Sequence, residues 1–167
     1  MDFFIKNERH RKLGFLFFVL YLVLLTYFLF FAEEMGRTPG IRAGYSYNLT
    51  PLKEIRRFLT HADVLGWRAV FLNIVGNMAA FMPFGFFLPE IWSRVDRWYT
   101  TTLLGAVFSL CIETTQLVFR VGSFDVDDLI ANTLGTLVGY GLFAVVRIIM
   151  PRAVKWCRGV EEDRPAE

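Results

Sequence analysis

Four long apolar segments, separated by polar ones, dominate the pattern of the chain. They cover residues 13–32, 70–89, 101–119 and 129–149. A helix needs about 20 mostly apolar residues to cross the hydrocarbon core of a bilayer, and each segment has that length. The pattern predicts an all-α integral membrane protein in which four transmembrane helices form a bundle within residues 13–149. Residues 1–12 and 150–167 are then a basic tail and a charged tail.

The segment between the first and second predicted spans holds one further helical pattern, at residues 51–62. Its apolar residues recur at helical spacing, and Lys53, Arg56 and Arg57 occupy the opposite face. Thr50 is a candidate N-cap, because the proline that follows it favours the first helical position. We expect a short amphipathic surface helix that lies either on the membrane or on the top of the bundle.

Composition supports the membrane class. Hydrophobic residues make up 54% of the 167 residues and charged residues only 20%, whereas soluble domains are about 45–50% apolar. The sequence has no basic tract with interleaved aromatic residues of the kind that binds nucleic acid.

Cys111 lies in an apolar segment and Cys157 in the charged tail, so we expect no disulfide between them. Cysteines and histidines lack the spacing of a metal site, and no cofactor is predicted.

The distribution of Lys and Arg predicts the orientation. Lys6, Arg9, Arg11 and Lys12 lie directly before the first span. Basic residues accumulate on the cytoplasmic side of transmembrane helices, so we expect the N-terminus in the cytoplasm. An even number of spans returns the C-terminus to the same side. The long segment between the first two spans is then outside the cell.

Polar residues interrupt the predicted spans at similar depths. At 1.5 Å per helical residue, their distances from the predicted outer ends place them in the outer half of the bilayer. A carboxylate such as Glu113 costs roughly 3 kcal/mol at the centre of a span, so it requires polar neighbours. We predict that these residues surround a cavity open to the outside or form a closed hydrogen-bonded network. The candidate binding residues are Asn73, Asn77, Glu113, Gln116, Arg120, Asp125, Asp128 and Asn132.

On the second, third and fourth spans, small residues share a helical face with the polar residues and form a stripe that extends towards the inner side of the membrane. Gly76 and Ala80 lie on the second span, Gly105 on the third, and Gly135 and Gly139 on the fourth. Small residues let helices approach closely within a membrane. We therefore expect tight helix packing in the inner half of the bundle.

The turn before the fourth span is acidic and supports two interpretations. Asp125 or Asp127 is a candidate N-cap of the helix, and Asp128 in its first turn would interact favourably with the helix dipole. Alternatively, Asp125, Asp127 and Asp128, together with Glu113, hold a divalent metal ion through oxygen ligands. Glu113 and Asp128 are also the candidates for a catalytic acid or base.

Four motifs resemble the VanZ-like family. They are NLTPLKEI at 48–55, NIVGNMAAFMPFG at 73–85, IETTQ at 112–116 and RVGSFDVDDLIANTLGTLVGY at 120–140. The resemblance extends over roughly residues 15–147. It implies a multi-pass protein of the bacterial cell membrane. The founding member of the family is associated with low-level resistance to the lipoglycopeptide teicoplanin, without the enzymes that remodel the vancomycin target.

Two classes of function fit the predicted membrane bundle and its polar residues. In the first, an outward-facing polar pocket among membrane lipids binds a lipid-linked cell-wall precursor or a lipoglycopeptide, and Arg120 contacts its anionic groups. In the second, the protein is an enzyme acting on a lipid head group. Glu113 would then be its general acid or base, and Arg120 would stabilise the developing negative charge. A transporter would require an oligomer, because four spans without an internal repeat are few.

Overall fold

A computed structural model describes the backbone of residues 2–31 and 44–150. The elements in chain order are α1 (Asp2–Phe30), β1 (Tyr47–Asn48), α2 (Lys53–Thr60), α3 (Ala62–Leu65), α4 (Trp67–Ile91), a 3-10 turn at Ser93–Val95, α5 (Trp98–Phe119), β2 (Phe124–Asp125) and α6 (Val126–Ile149). Within the described residues, α1, α4, α5 and α6 are long and apolar enough to cross a membrane. The predicted all-α membrane bundle is therefore confirmed. We call the end where α1 and α5 finish and α4 and α6 begin the loop end.

Helix α6 packs against both α4 and α5, and glycines permit the close approach. A Cβ atom added at Gly139 would lie 2.0 Å from the carbonyl oxygen of Met82, and one at Gly135 would lie 2.1 Å from that of Met78. One added at Gly105 would lie 2.3 Å from the Thr136 hydroxyl oxygen. These contacts confirm the predicted close packing at Gly105, Gly135 and Gly139. The prediction is wrong for Gly76, where an added Cβ atom would have nothing within 4 Å.

Helix α1 lies at the periphery of the bundle, and most of the large side chains at its residues 13–30 are exposed, as expected for a surface that faces lipid. Its inner side packs through Phe18 against Phe84 and Leu88. The Tyr21 hydroxyl donates to the carbonyl oxygen of Ala80 at 2.7 Å. The α1 helix already begins at Asp2 and so includes residues that the sequence assigned to a tail.

The segment that precedes α4 folds back onto the start of α6. Strand β1 pairs in parallel with β2, so that Asn48 lies opposite Asp125. Helix α2 begins at Lys53, and the predicted N-cap at Thr50 is wrong. Instead, Leu52 occupies the N-cap position with φ +63°, and the cap is supplied from α6. Two short segments far apart in the chain thus form one unit at the loop end.

The acceptor for the start of α2 is the carboxylate of Asp127. Its Oδ2 accepts from the backbone N–H groups of Glu54 at 2.7 Å and Ile55 at 3.2 Å. Its Oδ1 accepts from the N–H group of Leu52. The first N–H groups of a helix have no partner within the helix, and a carboxylate also interacts favourably with the helix dipole. One side chain of α6 therefore positions α2 on top of the bundle, where Ile55 and Phe58 are half-buried and Arg56 is exposed.

Polar contacts also connect the helices at the end of the bundle opposite the loop end. Arg147 near the end of α6 pairs with the carboxylate of Asp96 at 2.8 Å, and the Tyr140 hydroxyl donates to the carbonyl oxygen of Asp96 at 3.0 Å. Asp96 lies in the short connection between α4 and α5. This contact holds that connection against α6.

Candidate functional site

A cluster of polar residues lies at the loop end, and Asp125 is the centre of its contacts. Its Oδ1 accepts from the backbone N–H group of Asp127 at 2.9 Å, which makes Asp125 the N-cap of α6. The same oxygen accepts from Nδ2 of Asn48 at 3.1 Å. The backbone N–H group of Asp125 donates to Oε2 of Glu113 at 3.0 Å. The contacts of one residue thus connect β1, α5 and α6, and the predicted N-cap is confirmed.

Burial affects the protonation of Asp125, whose residue is only 8% exposed. Loss of solvation raises the pKa of the Asp125 carboxyl above its ordinary value, while the hydrogen bonds from Asp127 and Asn48 act in the opposite direction. The folded-state pKa therefore exceeds the unfolded one. The stabilising contribution of this group is complete at low pH and is lost as the pH rises through the folded-state pKa.

Glu113 lies inside the cluster and is 2% exposed. Its side chain extends from the last two turns of α5 to the backbone of the turn that precedes α6. A carboxylate in a membrane helix is tolerated when polar groups of the protein surround it. The N–H group of Asp125 is one such group, so the fold itself provides part of what offsets the cost of burying Glu113.

Gln116, one turn further along α5, also binds backbone. Its side chain is buried, and Nε2 donates to the carbonyl oxygen of Leu29 at 3.0 Å. The last carbonyls of a helix have no partner within the helix, so Gln116 satisfies one of them at the end of α1. The Tyr21 hydrogen bond is a further polar attachment of α1 to the rest of the bundle.

Arg120 lies outside the buried cluster. It ends α5 in the left-handed conformation, with φ +56°, and its side chain is exposed. The guanidinium carbon lies 4.7 Å from the ring centroid of Tyr45, which is a cation–π distance. The reversal of the backbone at Arg120 directs its side chain towards the surface of the loop end.

A deeper pair connects α5 and α6. Nδ2 of Asn132 donates to the Ser109 hydroxyl oxygen at 2.9 Å, and both residues are buried. In the described part of the chain, Oδ1 of Asn132 is buried without a hydrogen-bond partner. Leaving a buried acceptor unpaired costs about 1–3 kcal/mol, which is unusual in a structural contact.

Asn77 and Asp128 form the more accessible part of the cluster. Nδ2 of Asn77 on α4 donates to Oδ1 of Asp128 at 2.5 Å, and both residues are half-buried. Asn77 also lines a groove of about 300 Å³ between α1 and α4. The side chain of Asn73 lies outside the part of the chain that the structure describes.

The three aspartates of the acidic turn bind different partners. Asp127 binds the start of α2, Asp125 binds Asn48, and Asp128 binds Asn77. Within the described residues, no group of three or more His, Cys, Asp or Glu side chains is close enough to hold a metal ion. The hydrogen bonds of Asp125 to the start of α6 and of Asp127 to the start of α2 agree with capping, the first of the two interpretations.

Asn48 is the residue of the cluster that sequence reasoning did not single out. It is buried, its Oδ1 accepts from the backbone N–H group of Thr50 at 3.2 Å, and its Nδ2 donates to Asp125. Its only signal in the sequence is its place at the start of the NLTPLKEI motif. The strand pairing that brings it to Asp125 joins positions 77 residues apart.

The fold and the cluster define a multi-pass, all-α membrane protein with a buried polar network at one end of its bundle. A family model described as VanZ/LLP1 matches residues 18–147. The chain belongs to this family, and the resemblance inferred from the four motifs is confirmed.

One curated relative is Protein VanZ of Enterococcus faecium, which is 29% identical over 75 residues. The match covers 45% of this chain and 46% of the relative, so it spans about half the length of that protein. No solved structure matches the chain.

Proposed function

We propose that the protein binds a lipid-linked cell-envelope molecule or a lipoglycopeptide at the loop end of the bundle and contributes to low-level teicoplanin resistance. The loop end faces the outside of a bacterial cell, and both termini are cytoplasmic. In this arrangement, the buried network forms the polar base of the binding site, and half-buried and exposed polar groups above it contact the ligand. The basic cluster before the first span supports this orientation.

The observation that carries the proposal is the position of the Asn77–Asp128 pair. It lies where a groove between two membrane-spanning helices reaches the polar network. A ligand with an apolar chain and a polar head group requires this combination of surfaces. A purely structural hydrogen bond between helices would need neither the groove nor partial exposure.

Exposed guanidinium groups at the same end supply positive charge. Arg120 lies over Tyr45, and Arg57 pairs with Glu54 at 2.7 Å while it also lies over Phe58. Arginine binds phosphate and carboxylate groups through two parallel hydrogen bonds. These side chains are therefore suited to the anionic groups of a lipid-linked precursor or a peptide antibiotic.

The enzyme alternative, which stays a prediction, has less support. Glu113 accepts from a backbone N–H group, and both oxygens of Asp127 bind the start of α2. Contacts of this kind position segments of the chain. A general acid or base instead needs access to a substrate proton at hydrogen-bond distance.

Substitution of Glu113 separates the two functions. We expect Glu113→Gln to retain most of the protection against teicoplanin, because the amide oxygen of Gln can still accept from the N–H group of Asp125. We expect Glu113→Ala to lose it, because the N–H group then has no acceptor. The measurement is teicoplanin and vancomycin susceptibility of a Gram-positive host that carries each variant, with membrane expression quantified by blot.

Thr114→Ala is the matched control, since Thr114 is the exposed neighbour of Glu113 on α5. It should protect as well as the wild type. A Gln variant that is expressed normally and gives no protection would favour carboxylate chemistry over ligand binding. A well-expressed wild type that gives no protection would overturn the resistance role.

A further inference from the structure

A groove runs between α1 and α4 from the loop end towards the middle of the membrane. Its volume is about 300 Å³, which is room for roughly ten groups the size of a water molecule or a methylene. Leu25 and Leu29 line it from α1, and Gly76, Ala80 and Pro83 line it from α4. Hydrogen bonds of α1 lie at both ends of the groove, from Tyr21 at the deep end and to Leu29 at the loop end.

The glycine in the wall of this groove differs from the glycines at the helix contacts. A Cβ atom at Gly85, Gly135 or Gly139 would collide with a backbone carbonyl of the neighbouring helix. A Cβ atom at Gly76 would have nothing within 4 Å. The absence of a side chain at Gly76 therefore does not serve helix packing, and it leaves space in the groove.

Asn77 defines the chemistry at the polar end of the groove. A carboxylate accepts hydrogen bonds, so the amide nitrogen of Asn77 must be the group that faces Asp128. The amide oxygen of Asn77 is then held in a defined direction as an acceptor. A hydroxyl or amide N–H group of a ligand is the complementary donor.

We propose that the groove binds the acyl chain of an amphiphile whose head group donates a hydrogen bond to Asn77 from a hydroxyl or amide group. Both walls belong to membrane-spanning helices, so the occupant enters laterally from the bilayer. The chain occupies the space beside Gly76, and the head group reaches the loop end near the exposed arginines. This inference rests on the proposed function and names the ligand class of that site.

The test uses the full chain in phosphatidylglycerol nanodiscs and an N-acyl glucosamine probe with a photoreactive diazirine in the acyl chain. We expect saturable labelling of peptides from α1 and α4, mapped by mass spectrometry. Gly76→Leu fills the groove and should weaken labelling about tenfold, equivalent to ~1.4 kcal/mol of binding free energy. Gly141→Leu is the matched control, because Gly141 lies on α6 with nothing within 4 Å and outside the groove, and it should label like the wild type.

A second probe tests the head group. The methyl ester of the same diazirine fatty acid lacks a donor, so we expect it to label weakly and to be insensitive to Asn77→Leu. The N-acyl glucosamine should be sensitive to that substitution. Equal labelling by the two probes would overturn the role of Asn77. Labelling of Gly76→Leu at the wild-type level would overturn the groove as the chain site.

Further outcomes distinguish this inference from the proposed function. Labelling that falls in proportion to added phosphatidylglycerol would assign the groove to bulk bilayer lipid and overturn the inference. If labelling fails while the wild type still protects against teicoplanin, the groove proposal fails alone. If saturable labelling occurs and a well-expressed wild type gives no protection, the resistance role fails and the lipid site stands.

Discussion

Replacing Gly139 by leucine should prevent stable assembly of the bundle. The added Cβ would lie 2.0 Å from the Met82 carbonyl oxygen, where no real Cβ atom is found, so α4 and α6 must separate. Overpacking usually costs 1–3 kcal/mol. Here the obstacle is backbone, which cannot rotate away like a side chain, so we expect a loss of about 3 kcal/mol or more in the free energy of unfolding.

The measurement is thermal unfolding in detergent, together with the fraction of protein that elutes as a folded monodisperse species. Gly141→Leu on the same helix is the control, because a side chain there meets open space. It should stay within about 0.5 kcal/mol of the wild type, as surface substitutions do. A Gly139→Leu variant as stable as this control would show that α4 and α6 do not depend on the close approach.

Replacing Asp127 by alanine should release α2 from the bundle. The substitution removes the acceptor of three backbone N–H groups, those of Leu52, Glu54 and Ile55. Hydrogen bonds to a charged group contribute about 1.5–3 kcal/mol each, and three that share one carboxylate contribute less than their sum. We expect the free energy that holds α2 against the bundle to fall by about 3 kcal/mol. The population of molecules with α2 detached should then rise roughly a hundredfold.

Limited proteolysis with trypsin measures that population, because cleavage follows the open form when opening and closing are fast. Cleavage after Lys53, Arg56 and Arg57 should accelerate, while cleavage elsewhere stays unchanged, as read by mass spectrometry. Asp63→Ala is the control, since Asp63 is an exposed acidic residue in the first turn of α3. Equal cleavage of α2 in wild type and Asp127→Ala would contradict the role of Asp127 as its cap.

The four membrane helices could be predicted because span length and hydropathy are local properties of the chain. The predicted segment at 101–119 lies within α5, which covers Trp98–Phe119, and the segment at 129–149 lies within α6. The close packing of Gly135 and Gly139 could be predicted because helical spacing places them on one face.

The partners of the polar side chains could not be predicted in the same way. The sequence predicts Arg120 among the residues that surround a cavity or form a closed network, but the backbone turns left-handed at Arg120 and its side chain is exposed. Gly85 was not part of any predicted stripe, yet a Cβ there would lie 1.9 Å from the carbonyl oxygen of Thr136. In both cases the outcome depends on the end of a helix or on a neighbouring helix.

The sequence by itself determined the membrane class, the number of apolar spans, the family, and the concentration of polar residues near one end. The tertiary structure alone decided that Asp127 caps α2, that Asn48 reaches Asp125, and that Gln116 holds the end of α1. The physical reason is the separation along the chain of the residues that determine each feature. The length of an apolar span depends on consecutive residues. A carboxylate or amide instead forms hydrogen bonds with any backbone or side-chain group that the fold places within about 3 Å. For Asp127, that group is 75 positions away at Leu52, and only the packed bundle brings the two together.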